Sequence, residues 1–357
     1  MGESVDPRRG HMMSEGALRS ECRRPLSRVV ALGGGTGLPV VLTGLRRHLP
    51  EQCRIAAVVT AADDGGSSGI LRQEYGVLPP GDIRNCLTAL ARVAPEVSAA
   101  LQYRFDGITG PQHPVGNLLL TALNMVAVDD VAAIRLAAEL LGVEDLILPS
   151  TTVRIHLVAE LLDGRSVRGE SEIPRSGAPI KRVRIDPADA VPAPGVLEAL
   201  RAADAVILGP GSLYTSILAT LVVPGVVETL VRSSAVRIFV CNAMTEPGET
   251  DGYGVAEHLR ALATHGLPVD ALDYVVVNAS PIPRKVRARY EIEGAQPVSA
   301  DFAVAAGPPT VVRAELLEPG PVVRHAPDKL GRILRDLAGA RGGWATDGRA
   351  AEEWVRS

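Results

Sequence analysis

Arg28-Val29-Val30-Ala31-Leu32-Gly33-Gly34-Gly35-Thr36-Gly37 is a short apolar run stopped by glycine. Short apolar runs bounded by turn residues read as buried strands. Residues 38–49 then carry apolar side chains at helical spacing, and residues 55–61 form a second apolar run. Strand, glycine loop, helix, strand is the opening of a doubly wound parallel sheet. Helices are expected at 82–93, 114–127 and 130–141, the last opened by Asp129-Asp130. The pattern changes near Thr151. Residues 153–161 alternate apolar and polar and end at Asp163-Gly164, and residues 167–173 and 180–185 continue in that style. This predicts a small antiparallel β insertion over 150–186. Residues 205–208, 236–240 and 274–277 are three more buried strands with helices between them. The expected architecture is one α/β domain over 28–340, a doubly wound mostly parallel sheet with that insertion. A disordered leader (1–27) and a flexible tail (341–357) flank it.

Composition narrows the function classes. Among 357 residues, 37 Lys and Arg oppose 41 Asp and Glu, a net charge of −4. A nucleic-acid binder wants a basic face, so the overall charge argues against that partner. With 3 Phe, 2 Trp and 6 Tyr, a base-stacking platform is also disfavoured. Cys22, Cys53, Cys86 and Cys241 show no CxxC spacing, so neither a zinc knuckle nor a thioredoxin-type motif is supported. A reducing, cytoplasmic setting is expected. No run of 18 apolar residues predicts a membrane span, and residues 1–27 lack the apolar core of a signal peptide. The 36 Gly and 27 Pro concentrate in a few loops, which points to binding sites built from backbone.

Each of these loops is expected to lie directly after a strand. Strand-following loops lie at the carboxyl edge of an open α/β sheet, where ligands bind. Gly33-Gly34-Gly35-Thr36-Gly37 holds four glycines in five residues, more than a tight turn needs. Backbone amides at Gly34, Gly35, Thr36 and Gly37 would cradle a phosphate at a helix N-terminus. It is neither the dinucleotide fingerprint, since Leu38 takes the sixth place, nor a Walker loop. Asp63-Asp64-Gly65-Gly66-Ser67-Ser68-Gly69 pairs two carboxylates with a backbone nest. Asp63 and Asp64 could meet a ribose hydroxyl or hold Mg²⁺, while an Asx-turn with N-cap explains one of them. Asp82 is either a helix N-cap or a ligand contact, and Arg84 and Asn85 in a first turn make sense beside an anion.

His113-Pro114-Val115-Gly116-Asn117 opens an apolar helix. His113 has no HxxH or HxxxH partner, which argues against zinc, and Asn117 on a buried first turn is expected to face the site. Gly209-Pro210-Gly211-Ser212 is a second glycine loop before a helix. Gly209 and Gly211 favour close approach to a phosphate or sugar, and Ser212 is equally a natural N-cap. No nucleophile elbow or His/acid pairing supports a catalytic serine. The loop from Cys241 to Thr250 offers Asn242, two hydroxyls and two carboxylates, apt for sugar hydroxyls. Arg284, Lys285, Arg287 and Arg289 form a solvated helix face or a lip over an anionic ligand.

Taken in order, these motifs, with Glu246-Pro247-Gly248-Glu249-Thr250-Asp251-Gly252, resemble the YvcK branch of the YvcK/CofD family. The resemblance runs from about Arg28 to Leu337. It implies a Rossmann-like fold and a cytoplasmic bacterial gluconeogenesis factor. That branch is linked to cell shape, cell-wall precursor supply and growth on gluconeogenic carbon sources. It binds UDP-sugars such as UDP-N-acetylglucosamine. The CofD branch transfers a phospholactyl group from a nucleotide donor to a deazaflavin, with Mg²⁺. By position, Asp64 and Asp82 correspond to its metal-binding acids, while the Asn242 to Gly252 loop resembles the YvcK branch.

The first expectation is therefore a regulatory nucleotide-sugar-binding protein. Gly34 to Gly37 and Gly211-Ser212 would hold the diphosphate, Asp63 or Asp64 and Asn242 the hydroxyls, and Tyr253 or Arg289 would cover base or sugar. The second is a Mg²⁺-dependent transferase acting through Asp64 and Asp82. An NAD-dependent oxidoreductase is weaker, because no acid–base residue is placed for hydride chemistry, although the same edge suits an NAD-like dinucleotide. A homo-oligomer with a regulatory protein partner is expected.

Overall fold

The computed structural model describes residues 26–105, 112–300 and 308–342. Most of the expected leader and tail, with Cys22, lies outside the described residues. Leu26 is buried, and the backbone N–H and hydroxyl of Ser27 both donate to Asp204, so these two residues join the body.

The apolar run that opens the chain is β1 (Arg28–Gly33). It pairs in parallel with β2 (Arg54–Val59), and β2 pairs with β3 (Leu146–Pro149). The chain then builds β4 (His156–Leu161), β5 (Ser166–Arg168) and β6 (Ile180–Asp186) as a separate antiparallel sheet in the order β5-β4-β6. It returns as β7 (Ala205–Leu208), β8 (Val236–Val240), β9 (Tyr274–Asn278) and β10 (Thr310–Ala314). The main sheet runs β10-β9-β8-β7-β1-β2-β3, parallel throughout. This is the doubly wound α/β sheet with an antiparallel addition that the periodicity predicts. β3 and β10, the edge strands, go unread in the pattern: each is a short run of four or five residues.

Alternation places Val30 and Leu32 on one face of β1 and Val29 and Ala31 on the other. Both faces are covered, as an all-parallel sheet requires. One face carries helices Gly37–His48, Pro80–Leu90, Asp130–Leu140 and Pro327–Gly342. The other carries the antiparallel sheet through Leu157, Ala159, Val183 and Ile185, with helices Val196–Ala202, Val226–Arg232 and Val255–Thr264. Each buried Val or Leu on these faces contributes roughly 1.5–3 kcal/mol. Cys53, Cys86 and Cys241 are free and buried, and burial pushes all three thiols up, Cys53 to about 11 and Cys241 to about 12. Among the described residues no single helix is long and apolar enough to cross a membrane.

Candidate functional site

The strand order locates the site. From β1 the chain steps outward to β2 and β3, then reappears on the other side of β1 at β7 and steps the opposite way. The switch point lies between β1 and β7, and the crevice above their carboxyl ends is the expected ligand position. The two glycine loops flank it. A Cβ on Gly37 would stand 2.0 Å from the Pro210 carbonyl oxygen, so only glycine lets the loops meet. A Cβ on Gly34 would stand 2.6 Å from Asp82 Oδ2 and from Thr60 Cγ2.

Several polar groups expected to meet a ligand are instead wired to each other. The Gly35 N–H donates to Asp82 Oδ2 at 2.7 Å. Asp82 is not its own helix's cap: the helix begins at Pro80, two residues before the expected start, with Pro79 in the cap position. Burial raises the Asp82 carboxyl to about 6. Asn242 accepts from the Gly211 N–H and donates to the Gly211 carbonyl, both at 2.9 Å, and also donates to Glu246 at 3.2 Å. Ser212 sits at the cap of a π-helix, Leu213–Leu218, but makes no side-chain cap bond. Glu249 does that work, accepting from the Tyr214 and Thr215 N–H groups and the Thr215 hydroxyl at 3.3, 3.4 and 2.9 Å. Glu249 is buried and raised to about 7, and burial raises Glu246 as well.

A second group of expected residues forms one chain. Ser67 Oγ lies 2.7 Å from His113 Nδ1 and accepts from Asn117 Nδ2 at 2.9 Å. Asn117 Oδ1 accepts from Arg84 at 2.7 Å, and Arg84 also donates to Asn85 at 2.9 Å. Ser68 Oγ accepts from the Gly81 N–H at 3.0 Å. The N-terminal turns of helices Gly66–Tyr75, Pro80–Leu90 and Val115–Val126 are thus tied together, and Asp82 links them to the first glycine loop. Asp63 accepts from the Gly65 N–H, and burial raises its carboxyl. Asp64 points elsewhere: its oxygens accept from the Glu170 and Ser171 N–H groups at 3.0 and 2.9 Å.

A crevice of about 330 Å³ stays open beside these loops. Thr36, Gly37, Gly211 and Asn242 line one side, and Tyr290, Arg324 and His325 the other. Helix Gly37–His48 meets it with no acidic residue in its first turn and no side-chain cap, so its N–H groups and dipole favour an anion. His325 is buried, its Nε2 has no partner among the described residues, and burial lowers it to about 4, leaving a neutral ring.

The model of the family described as 2-phospho-L-lactate transferase CofD matches residues 29–317. The chain belongs to the CofD family. Its similarity to a gluconeogenesis factor of Bacillus subtilis is 42% identity, over 87% of this chain and 98% of that protein. A gluconeogenesis factor of Halalkalibacterium halodurans is also 42% identical, over 86% of this chain and 95% of that one. A crystal structure of a UPF0052-family protein from Bacillus halodurans superposes with a TM-score of 0.81 at 40% identity, covering 87% of this chain and 99% of that one.

In this CofD-family chain the sequence motifs do not mark Tyr290, Arg324 or His325, and Arg168-Gly169-Glu170-Ser171 matches the family without a site role for Glu170. Glu170 lies in the antiparallel insertion, where burial and the charges of Asp63 and Asp64 raise it to about 8. Nothing local signals a contact 106 residues away. Tyr253 hydrogen-bonds Tyr214 at 2.9 Å, and Arg289 folds over the Tyr290 ring at 5.4 Å.

Proposed function

We propose that this chain is a UDP-sugar-binding regulatory protein, with UDP-N-acetylglucosamine as the model ligand. The open crevice at the switch point carries the reading. Its volume, about 330 Å³, lies at the small end of the roughly 300–1,000 Å³ typical of ligand sites, so a nucleotide sugar would fill it and extend toward the open mouth. The diphosphate would lie at the N-terminus of helix Gly37–His48, opposite Arg324. Tyr290 would supply an aromatic face, and His325 a neutral imidazole edge for a base or sugar hydroxyl. The names of the relatives support a role in growth on gluconeogenic carbon sources. The ligand, as a cell-wall precursor, connects that role to cell shape. The reading makes the protein a cytoplasmic homo-oligomer that works through a protein partner.

The family description favours a second reading, a transferase using Mg²⁺. The residues do not fit that ion as placed. Both Asp64 oxygens are engaged by N–H groups of the insertion, and Asp82 accepts from Gly35.

Calorimetric titration with UDP-N-acetylglucosamine, with and without Mg²⁺, tests the choice. Micromolar binding without turnover is the expected result, and Arg324→Ala should weaken it roughly tenfold, about 1.4 kcal/mol. Metal-dependent consumption of the ligand would overturn the reading.

A further inference from the structure

A second crevice, about 620 Å³, begins at Asp64 and runs between helix Gly66–Tyr75 and strands β4 and β5. Arg72, Arg154, Arg168 and His156 face it, with Asp64 and Glu172 on the same walls. Most of these charges are accounted for. Arg154 forms a two-pronged pair with Asp130 at 2.9 and 3.0 Å. Arg168 pairs with Asp186, and Glu172 with Arg175. Asp64 is committed to the Glu170 and Ser171 N–H groups. Arg72 differs. Its guanidinium donates to two carbonyl oxygens, of Asp63 and Ile155, and forms no salt bridge among the described residues.

A half-buried guanidinium that meets only carbonyl oxygens carries a desolvation cost that no direct carboxylate contact offsets. Burial pushes the Arg72 pKa down, while the charges of Asp64 and Asp63 more than offset those of Arg154 and Arg168. His156 is lowered by burial and by Arg72 and Arg168. An anion with two or more oxygens relieves that desolvation cost, because guanidinium edges bind phosphate oxygens in pairs.

We propose that this crevice binds the phosphate group of a small phosphate monoester, held by Arg72 and Arg168, as a site separate from the nucleotide crevice. Arg168 is the gate for this contact. It lies at the surface, and Asp186 holds its guanidinium. An arriving phosphate competes with Asp186 for it.

The test is titration of inorganic phosphate into the full chain, read by calorimetry and by thermal shift, with and without saturating UDP-N-acetylglucosamine. Arg168→Ala should weaken phosphate binding at least tenfold without lowering the unfolding temperature in the absence of phosphate, because both partners of its pair are half exposed. Asp186→Asn should act oppositely, strengthening binding severalfold by releasing Arg168. Arg324→Ala should leave this event unchanged, which separates the two sites. Failure of UDP-N-acetylglucosamine to bind would overturn the nucleotide-sugar reading alone. Absence of phosphate binding at 10 mM, or binding indifferent to both Arg168→Ala and Asp186→Asn, would overturn this proposal.

Discussion

Asp82 is the residue on which the two functional readings diverge. Its carboxylate already occupies the Gly35 N–H, a position where a phosphate oxygen would otherwise bind. Ionised, it repels a diphosphate arriving at the same loop. Asp82→Asn keeps an acceptor for Gly35 and removes the charge. Under the binding reading this variant should hold UDP-N-acetylglucosamine at least as tightly as the parent at pH 8. A metal-dependent transferase would lose activity instead, so calorimetry and a product assay on one variant distinguish them. Asn242 illustrates the opposite lesson. Its amide is the sort of group that reads sugar hydroxyls, yet it clamps both polar atoms of the Gly211 peptide. Its contribution is to set the shape of the second glycine loop.

The element that most depends on a distant residue is the π-helix Leu213–Leu218. Its wider turns leave N-terminal N–H groups that Ser212 does not cap, and Glu249 reaches in from the loop after β8 to accept them. A buried donor left without an acceptor costs about 1–3 kcal/mol. Glu249→Ala should therefore lower the unfolding temperature measurably, and Glu249→Gln, which retains an acceptor oxygen, should lower it less. Thermal unfolding followed by circular dichroism checks the order. Helix Pro80–Leu90 shows the same economy. By starting at Pro80, where a proline suits a first turn, it turns Asp82 toward the glycine loop and Arg84 toward Asn117.

At the scale of the whole molecule, buried carboxyls make stability depend on pH. Glu249 is raised to about 7 and Glu170 to about 8, while an unfolded chain titrates such groups near about 4.3. Between those values the folded chain binds more protons than the unfolded one, so stability falls as pH rises. His156, His258, His265 and His325 are lowered by burial and act with the opposite sign, but only below about pH 6.5. The expected outcome is a falling unfolding temperature from pH 7 to pH 8.5, with a flatter slope in Glu170→Gln. A flat profile in the parent chain would contradict it. The sequence by itself determined the five inner strands of the sheet, their parallel sense and the antiparallel addition, because apolar period and glycine stops are local properties, but it left the edge strands β3 and β10 unread. It also placed the glycine loops at the carboxyl edge and singled out Ser67, Arg84, Asn85, His113 and Asn117, which the fold joins into one hydrogen-bonded chain. Only the tertiary structure decided which polar groups stay available to a ligand. Gly35, Gly211, Asn242 and Asp64 found partners 31 to 107 residues away, whereas Arg324 and His325 came to the crevice from the far end of the chain. Hydrogen-bond satisfaction is settled by who is nearby in space, and local sequence carries no record of that.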